Sequence, residues 1–137
     1  MNYKSLLVQG RELKLKIDTR NSIALEKRLG TNPLNVLMKA QNGEIPSFEA
    51  LLYIFHAALQ KYQHGISMEK VFEIYDAYVD EGHDMTEFME VIMGVLSVSG
   101  YMKMDNVKVK EERPAQEVLH EIKMEEPEEK PEEKPLW

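Results

Sequence analysis

The chain has 137 residues, 43% of them hydrophobic and 30% charged, with 17 Lys+Arg against 24 Asp+Glu for a net charge of −7; this is one domain's worth of length. The absence of cysteine excludes a disulfide scaffold, a thiolate zinc site, an iron–sulfur cluster and a cysteine nucleophile. No apolar run approaches the roughly 18 residues of a membrane helix, and the acidic balance argues against nucleic acid as the main partner, so the expectation is a soluble, intracellular protein without a membrane partner.

Lys4 to Ile17 reads as a β-hairpin. Leu13, Leu15 and Ile17 alternate with Lys14 and Lys16, the period of a half-buried strand, and Gly10-Arg11 suits a two-residue II′ turn. A lone hairpin is marginal in water, so its apolar face must dock on the helical remainder of the chain. Arg11, Lys14, Lys16 and Arg20 form the nearest thing to a basic cluster, and they are explained as the solvated face of an edge strand.

Helix punctuation comes next, in regular order. Thr19 to Leu29 forms a short amphipathic helix, with Thr19 as N-cap, Ile23, Leu25 and Leu29 as its apolar positions and Gly30 as its stop. Asn32-Pro33 pairs an N-cap with proline at the first helical position and opens a second helix that stops before Gly43. Ser47 caps the longest and most apolar helix, FEALLYIFHAALQKYQH, ended by Gly65. Ser67 caps the fourth, with Ile66 against Val71 as a hydrophobic staple, and it runs through Phe72, Ile74, Tyr75 and Tyr78 to Gly82. Asp84 and Glu87 have capping-box spacing at the start of the fifth, which ends at Gly100.

Residues 103–137 differ in kind. They carry 7 basic and 11 acidic residues, against 10 and 13 in residues 1–102, and four of the six prolines. Lys108 to Met124 is compatible with a short strand or a frayed helix, and 111–135 reads as mostly disordered, because EEPEEKPEEKP offers no apolar burial against the entropy of ordering. The expected fold is therefore mainly α (α+β), an N-terminal β-hairpin packed on a compact bundle of about five helices. The expected division is 1–102 as the folded domain and 103–137 as an acidic Pro/Glu/Lys-rich tail.

Candidate chemistry is sparse. His56 lies mid-helix among apolar residues, His64 at a helix end where its charged form favours the dipole, His83 in a turn and His120 in the tail, with no HEXXH and no i, i+4 pair. Asp76, Asp80, Glu81, Asp84 and Glu87 surround Gly82, but the EF-hand register fails: with Gly82 at the sixth loop position the first would be Ala77 and the third Val79. No GxSxG elbow and no phosphate-binding glycine loop is present. The expectation is a protein with no catalytic residues, no metal and no cofactor.

Methionine is the remaining oddity. Of nine, Met85, Met89 and Met93 fall at i, i+4, i+8 on the fifth helix, followed by Met102. Val91, Val95, Leu96 and Val98 cover its other sides, so either this is the central buried helix or one side faces a partner. Met85, Met89, Met93 and Met102 are the candidate partner-binding residues.

Taken in order, LKLKIDTR, then IALEKRLGTNPLNVLMK, then FHAALQKYQHGI, then the EIYDAYVDEG turn and the closing VLSVSGYM make a run that resembles the small tail assembly chaperones of tailed phages and prophages of Gram-positive bacteria, over about residues 6–102. The order and spacing carry the resemblance, and the acidic tail lies outside it. The resemblance implies a non-catalytic protein of the bacterial host cytoplasm, absent from the finished virion. Its implied partners are the tape measure protein, which it would coat, and the tail tube protein, whose subunits it would recruit. Many such proteins are also made in a longer frameshifted form. The alternative is a small acidic phage protein, either a structural tail-completion factor or a regulator that mimics DNA charge; a helix-turn-helix regulator ranks behind both for want of a basic recognition helix.

Overall fold

A computed structural model describes residues 2–103. The protein is a mainly helical α+β fold in which a two-stranded antiparallel hairpin, β1 (Lys4–Val8) and β2 (Arg11–Leu15), precedes five helices. These are α1 (Thr19–Leu29), α2 (Pro33–Gln41), α3 (Phe48–Leu59), α4 (Met68–Asp80) and α5 (Met85–Val98). Of the described residues, 2–102 lie in one compact unit. The expectations for the acidic tail and for His120 lie outside the described residues.

The hairpin pairs Leu6 with Leu13 and Val8 with Arg11, which leaves Gln9-Gly10 as the loop. Both loop residues have positive φ, 53° and 74°, so the turn is type I′ and sits one residue earlier than the II′ turn at Gly10-Arg11 expected from sequence. The left-handed Gln9 is held by its own N–H, which donates to the Glu81 carboxylate at 2.6 Å. Leu13, Leu15 and the adjoining Ile17 are buried as the alternation predicts. Beneath β1 lies Gly94 of α5, where an added methyl group would come within 3.0 Å of Lys4 Cδ; the bare glycine leaves room for the aliphatic part of the Lys4 side chain.

Three backbone connections fasten the β2 side to the helices. Lys14 N–H donates to Gln63 Oε1 at 2.9 Å while Gln63 Nε2 donates to the Lys14 carbonyl at 3.0 Å, so one side-chain amide occupies the outer edge of β2 as a neighbouring strand would. Lys16 N–H donates to the Ala58 carbonyl at 3.0 Å. Ile17 N–H donates to Ser99 Oγ at 2.9 Å.

Most helix ends agree with the sequence. Asn32, Ser47 and Ser67 cap α2, α3 and α4, and Asp84 with Glu87 forms a complete capping box. At the other end of α5, Gly100 N–H donates to Ser97 O and Tyr101 N–H to Leu96 O, a Schellman closure that needs the left-handed Gly100. Three expectations are corrected. Thr19 is the first helical residue of α1, not its cap; the neighbouring Asp18 caps it by accepting the Asn21 N–H at 3.0 Å. Ile23 is 55% exposed and Leu25 alone of α1 is fully buried.

The third correction is the end of α3, which stops at Leu59 and not near Gly65. Gln60 Nε2 donates to the carbonyls of His56 and Ile66, and Gln63 Nε2 to that of Leu59, so side-chain amides take up carbonyls at the helix end. His64 consequently sits exposed in a turn, away from the helix terminus expected to favour its charge.

The core centres on α3, which contacts β2 and all four other helices. Leu51, Ile54, Ala58 and Leu59 of α3 are fully buried with Ile92, Val95 and Leu96 of α5. No helix among the described residues is long and apolar enough to cross a membrane.

Candidate functional site

Four aromatic rings lead from the surface into the core. Phe48 meets Tyr75 edge-on at 5.0 Å, Tyr75 meets Phe88 at 4.9 Å and Phe88 meets Phe55 at 5.3 Å. Phe88 and Phe55 are buried, whereas Phe48 is 43% exposed. Local sequence explains the arrangement: Ser47 starts α3 one residue before Phe48, and i, i+4 spacing places Phe48 and Leu52 on the side that faces α4.

Between α3 and α4 lies a cleft of about 590 Å³, walled by Phe48, Leu52 and Tyr53 on one side and Met68, Phe72 and Tyr75 on the other. Phe72 is 45% exposed at its mouth. This volume is in the range of specific ligand pockets, but the floor is apolar and three of the polar groups at its wall engage one another. Tyr53 OH donates to Glu49 Oε2 at 2.8 Å, and the Arg28 guanidinium lies over the Tyr53 ring at 3.9 Å. Two smaller clefts, of about 210 and 90 Å³, also meet at Tyr53. The outer surface of α3 is thus furrowed along its length.

Beside this surface His56 is half-buried. Burial first, and then the Arg28 charge, hold its imidazole below the ordinary value, against a hydrogen bond to the Ile66 backbone that acts the other way. A separate cleft of about 290 Å³ at the hairpin end includes Arg11, His64 and Lys70 among its lining. Among the described residues no group of three or more His, Asp or Glu side chains is placed to hold a metal ion.

The sequence-derived candidates Met85, Met89, Met93 and Met102 are all partly buried and packed against the core. The three on α5 lie along the border of its buried face, beside Phe88, Ile92 and Leu96. Larger apolar exposure is found elsewhere, at Phe48 and Phe72, neither of which stood out in the sequence. The available signal was α4 itself, where Met68, Phe72, Tyr75 and Val79 at i, i+4, i+7, i+11 form an apolar stripe separate from Val71, Ile74 and Tyr78.

The same aromatic group has a measurable alkaline signature. Burial, then the nearby Glu87 and further negative or ionisable neighbours, push the Tyr78 phenol up to about 12, and burial with Asp84 also raises Tyr75. In the unfolded chain these phenols ionise near the ordinary value of 10.0. The folded state therefore holds its protons longer, so its advantage is complete below pH 10 and is lost as pH rises from 10 towards about 12. Phenolate absorbance should show late-titrating tyrosines, with helix circular dichroism falling over the same interval. Tyr78→Phe should move that loss of helix to higher pH; an unchanged profile would place the origin elsewhere.

No curated protein matches the chain, and no solved structure does. One family model does match, over residues 2–128, nearly the whole length. The chain that carries this hairpin, helical core and aromatic cleft thus belongs to a family of unknown function, DUF6096.

Proposed function

We propose that the protein is a non-catalytic tail assembly chaperone of a phage or prophage, which binds the helical tape measure protein in the bacterial host cytoplasm and helps recruit tail tube subunits without entering the mature virion. The observation that carries a protein-binding role is the apolar cleft between α3 and α4, with Phe48 and Phe72 held half-exposed at its mouth. Contiguous exposed aromatic surface on a small domain marks an interaction site. The identity of the client rests on the resemblance of residues 6–102 to the chaperone family.

Co-expression with the tape measure protein encoded beside it tests the role. The expected result is soluble client that co-purifies with the chain; insoluble client and no co-purification would overturn the proposal. Met89→Glu combined with Met93→Glu compares the two candidate surfaces. Because both methionines pack against the core, this double variant is expected to lower the melting midpoint as well as client recovery, whereas wild-type stability with lost recovery would put the client on α5.

A second reading is favoured by one observation: Glu69, Glu73, Asp76 and Asp80 are all exposed along α4. Such a row suits an acidic structural or DNA-mimicking regulatory protein. That reading requires salt-sensitive competition with DNA for a target, and incorporation into purified particles would favour its structural form.

A further inference from the structure

The cleft between α3 and α4 has a charge pattern that narrows what it can receive. At 100° per residue, α4 divides into sectors. Val71 and Tyr78 face the core, and Met68, Phe72 and Tyr75 line the cleft with Val79 extending their stripe. Glu69, Glu73, Asp76 and Asp80 form the next row outward, parallel to the apolar stripe. Only Glu73 in that row has an ion-pair partner among the described residues, Lys70 at 3.5 Å. On the opposite wall Glu49 adds another carboxylate, and the one cation in the lining, Arg28, is stacked on Tyr53.

We propose that this cleft receives a cationic amphipathic helix. Its apolar side chains at i, i+3 or i+4 and i+7 would rest between Phe48 and Phe72, and flanking Lys or Arg residues would meet the acidic row of α4. The proposal deepens the protein-binding reading by naming the chemistry of the bound segment, and it does not depend on the client being a tape measure protein.

Geometry and charge together select this occupant. The α4 residues of the lining run from Met68 to Asp76, about 12 Å of helix axis at 1.5 Å per residue, which matches two turns of a docked helix. Helix-in-groove recognition needs an apolar floor with anchor pockets and a polar rim, and both are present. A second copy of the chain docked here would bring two acidic rims together, an arrangement that like charges oppose. A small polar ligand would meet a mainly apolar lining, in which the Tyr53 hydroxyl already donates to Glu49.

The test uses the full chain and three fluorescein-labelled 18-residue peptides: an amphipathic Leu/Lys helix, its Leu/Glu counterpart, and a Leu/Lys scramble that breaks the helical period. Fluorescence anisotropy at physiological salt should show the Leu/Lys helix bound and both others weaker by about tenfold or more, a difference of about 1.4 kcal/mol. Phe72→Asp should keep the wild-type melting midpoint, since the ring is 45% exposed, yet weaken the Leu/Lys helix by about tenfold, the effect of losing an anchor. Glu69→Lys with Asp76→Lys should narrow or reverse the preference between the Leu/Lys and Leu/Glu helices.

Phe72→Asp adds negative charge, so wild-type or tighter binding by that variant would mean that the peptide is held by the chain's net −7 elsewhere, and would overturn the proposal. Absence of Leu/Lys binding, or equal binding of all three peptides, would do the same. Failure here is distinguishable from failure of the chaperone role. Client rescue that survives Phe72→Asp leaves the chaperone standing and removes the cleft; peptide binding without client rescue does the reverse.

Discussion

Phe88→Ala should lower the stability of the folded domain by about 3 to 5 kcal/mol, the range for emptying a large aromatic site in a packed core. Phe88 is 1% exposed and its ring lies within 6 Å of Phe55, Tyr75 and Tyr78, so its removal takes an edge-to-face partner from Phe55 and Tyr75 and a tilted neighbour from Tyr78. Domains of this size hold about 5 to 15 kcal/mol in total and shift by about 4 to 8 °C per kcal/mol. The melting midpoint followed by circular dichroism should therefore fall by about 12 °C or more. Phe88→Leu, which keeps most of the apolar volume, should fall much less. A small loss for alanine would show that the cluster relaxes into the vacated space. The same variant should loosen the cleft, because Tyr75 is the ring that connects Phe88 to Phe48.

The second large effect is expected at Gln63, a polar residue in a turn. Its amide satisfies both the N–H and the carbonyl of Lys14 and also donates to the Leu59 carbonyl. Gln63→Ala leaves two partly buried backbone groups of β2 unpaired, each worth about 1 to 3 kcal/mol. The expected total is about 2 to 6 kcal/mol, with faster amide exchange at Lys14. Gln63→Glu gives a sharper test. An ionised carboxylate can still accept from Lys14 N–H but would face two carbonyl oxygens, so the folded state favours the protonated form and raises that group's pKa above about 4.3. The stability of this variant should be greatest below that unfolded value and should fall as pH rises through the higher folded one. A Gln63→Glu protein as stable as the wild type at neutral pH would mean that the edge of β2 does not depend on this amide.

Features set by neighbouring residues were legible in the sequence. The alternation through Leu13, Leu15 and Ile17, the proline after Asn32 and the Asp84/Glu87 spacing each act within a few positions, and each produced the expected element. Departures occur where a distant group intervenes. Gln9 accepts a left-handed conformation beside a carboxylate 72 residues away, which moves the turn. The run after Leu59 opens with the good helix formers Gln60 and Lys61, and its unwinding coincides with Gln63 reaching Lys14, 49 residues earlier. At Asp18 and Thr19 two capping residues are adjacent, and the carboxylate, the stronger cap, takes the role.

The cleft was less legible for a different reason. A single list of the apolar residues on α4 does not separate Met68, Phe72 and Val79 from Val71 and Tyr78, although they lie on different sides of the helix. Methionine stood out by abundance, yet Met85, Met89 and Met93 are partly covered by the core. Exposure of Phe48 and Phe72 depends on how far α3 and α4 stand apart, and no local pattern encodes that distance.

The fastening of the hairpin to the helices has a consequence for the order of synthesis. Lys16 bonds to Ala58 of α3, and Ile17 bonds to Ser99 just past α5, 82 residues later. The hairpin is made first and α3, which contacts β2, follows it, but α4 and α5, which contact β1, are made last. At translation rates of about 5 to 20 residues per second, Ile17 waits about 4 to 16 s for Ser99 to be added. Ile17 N–H is without its Ser99 acceptor, and β1 without α5, during that interval. A nascent chain halted before α5 should therefore be open to protease at the hairpin, and release of the last helix should close it.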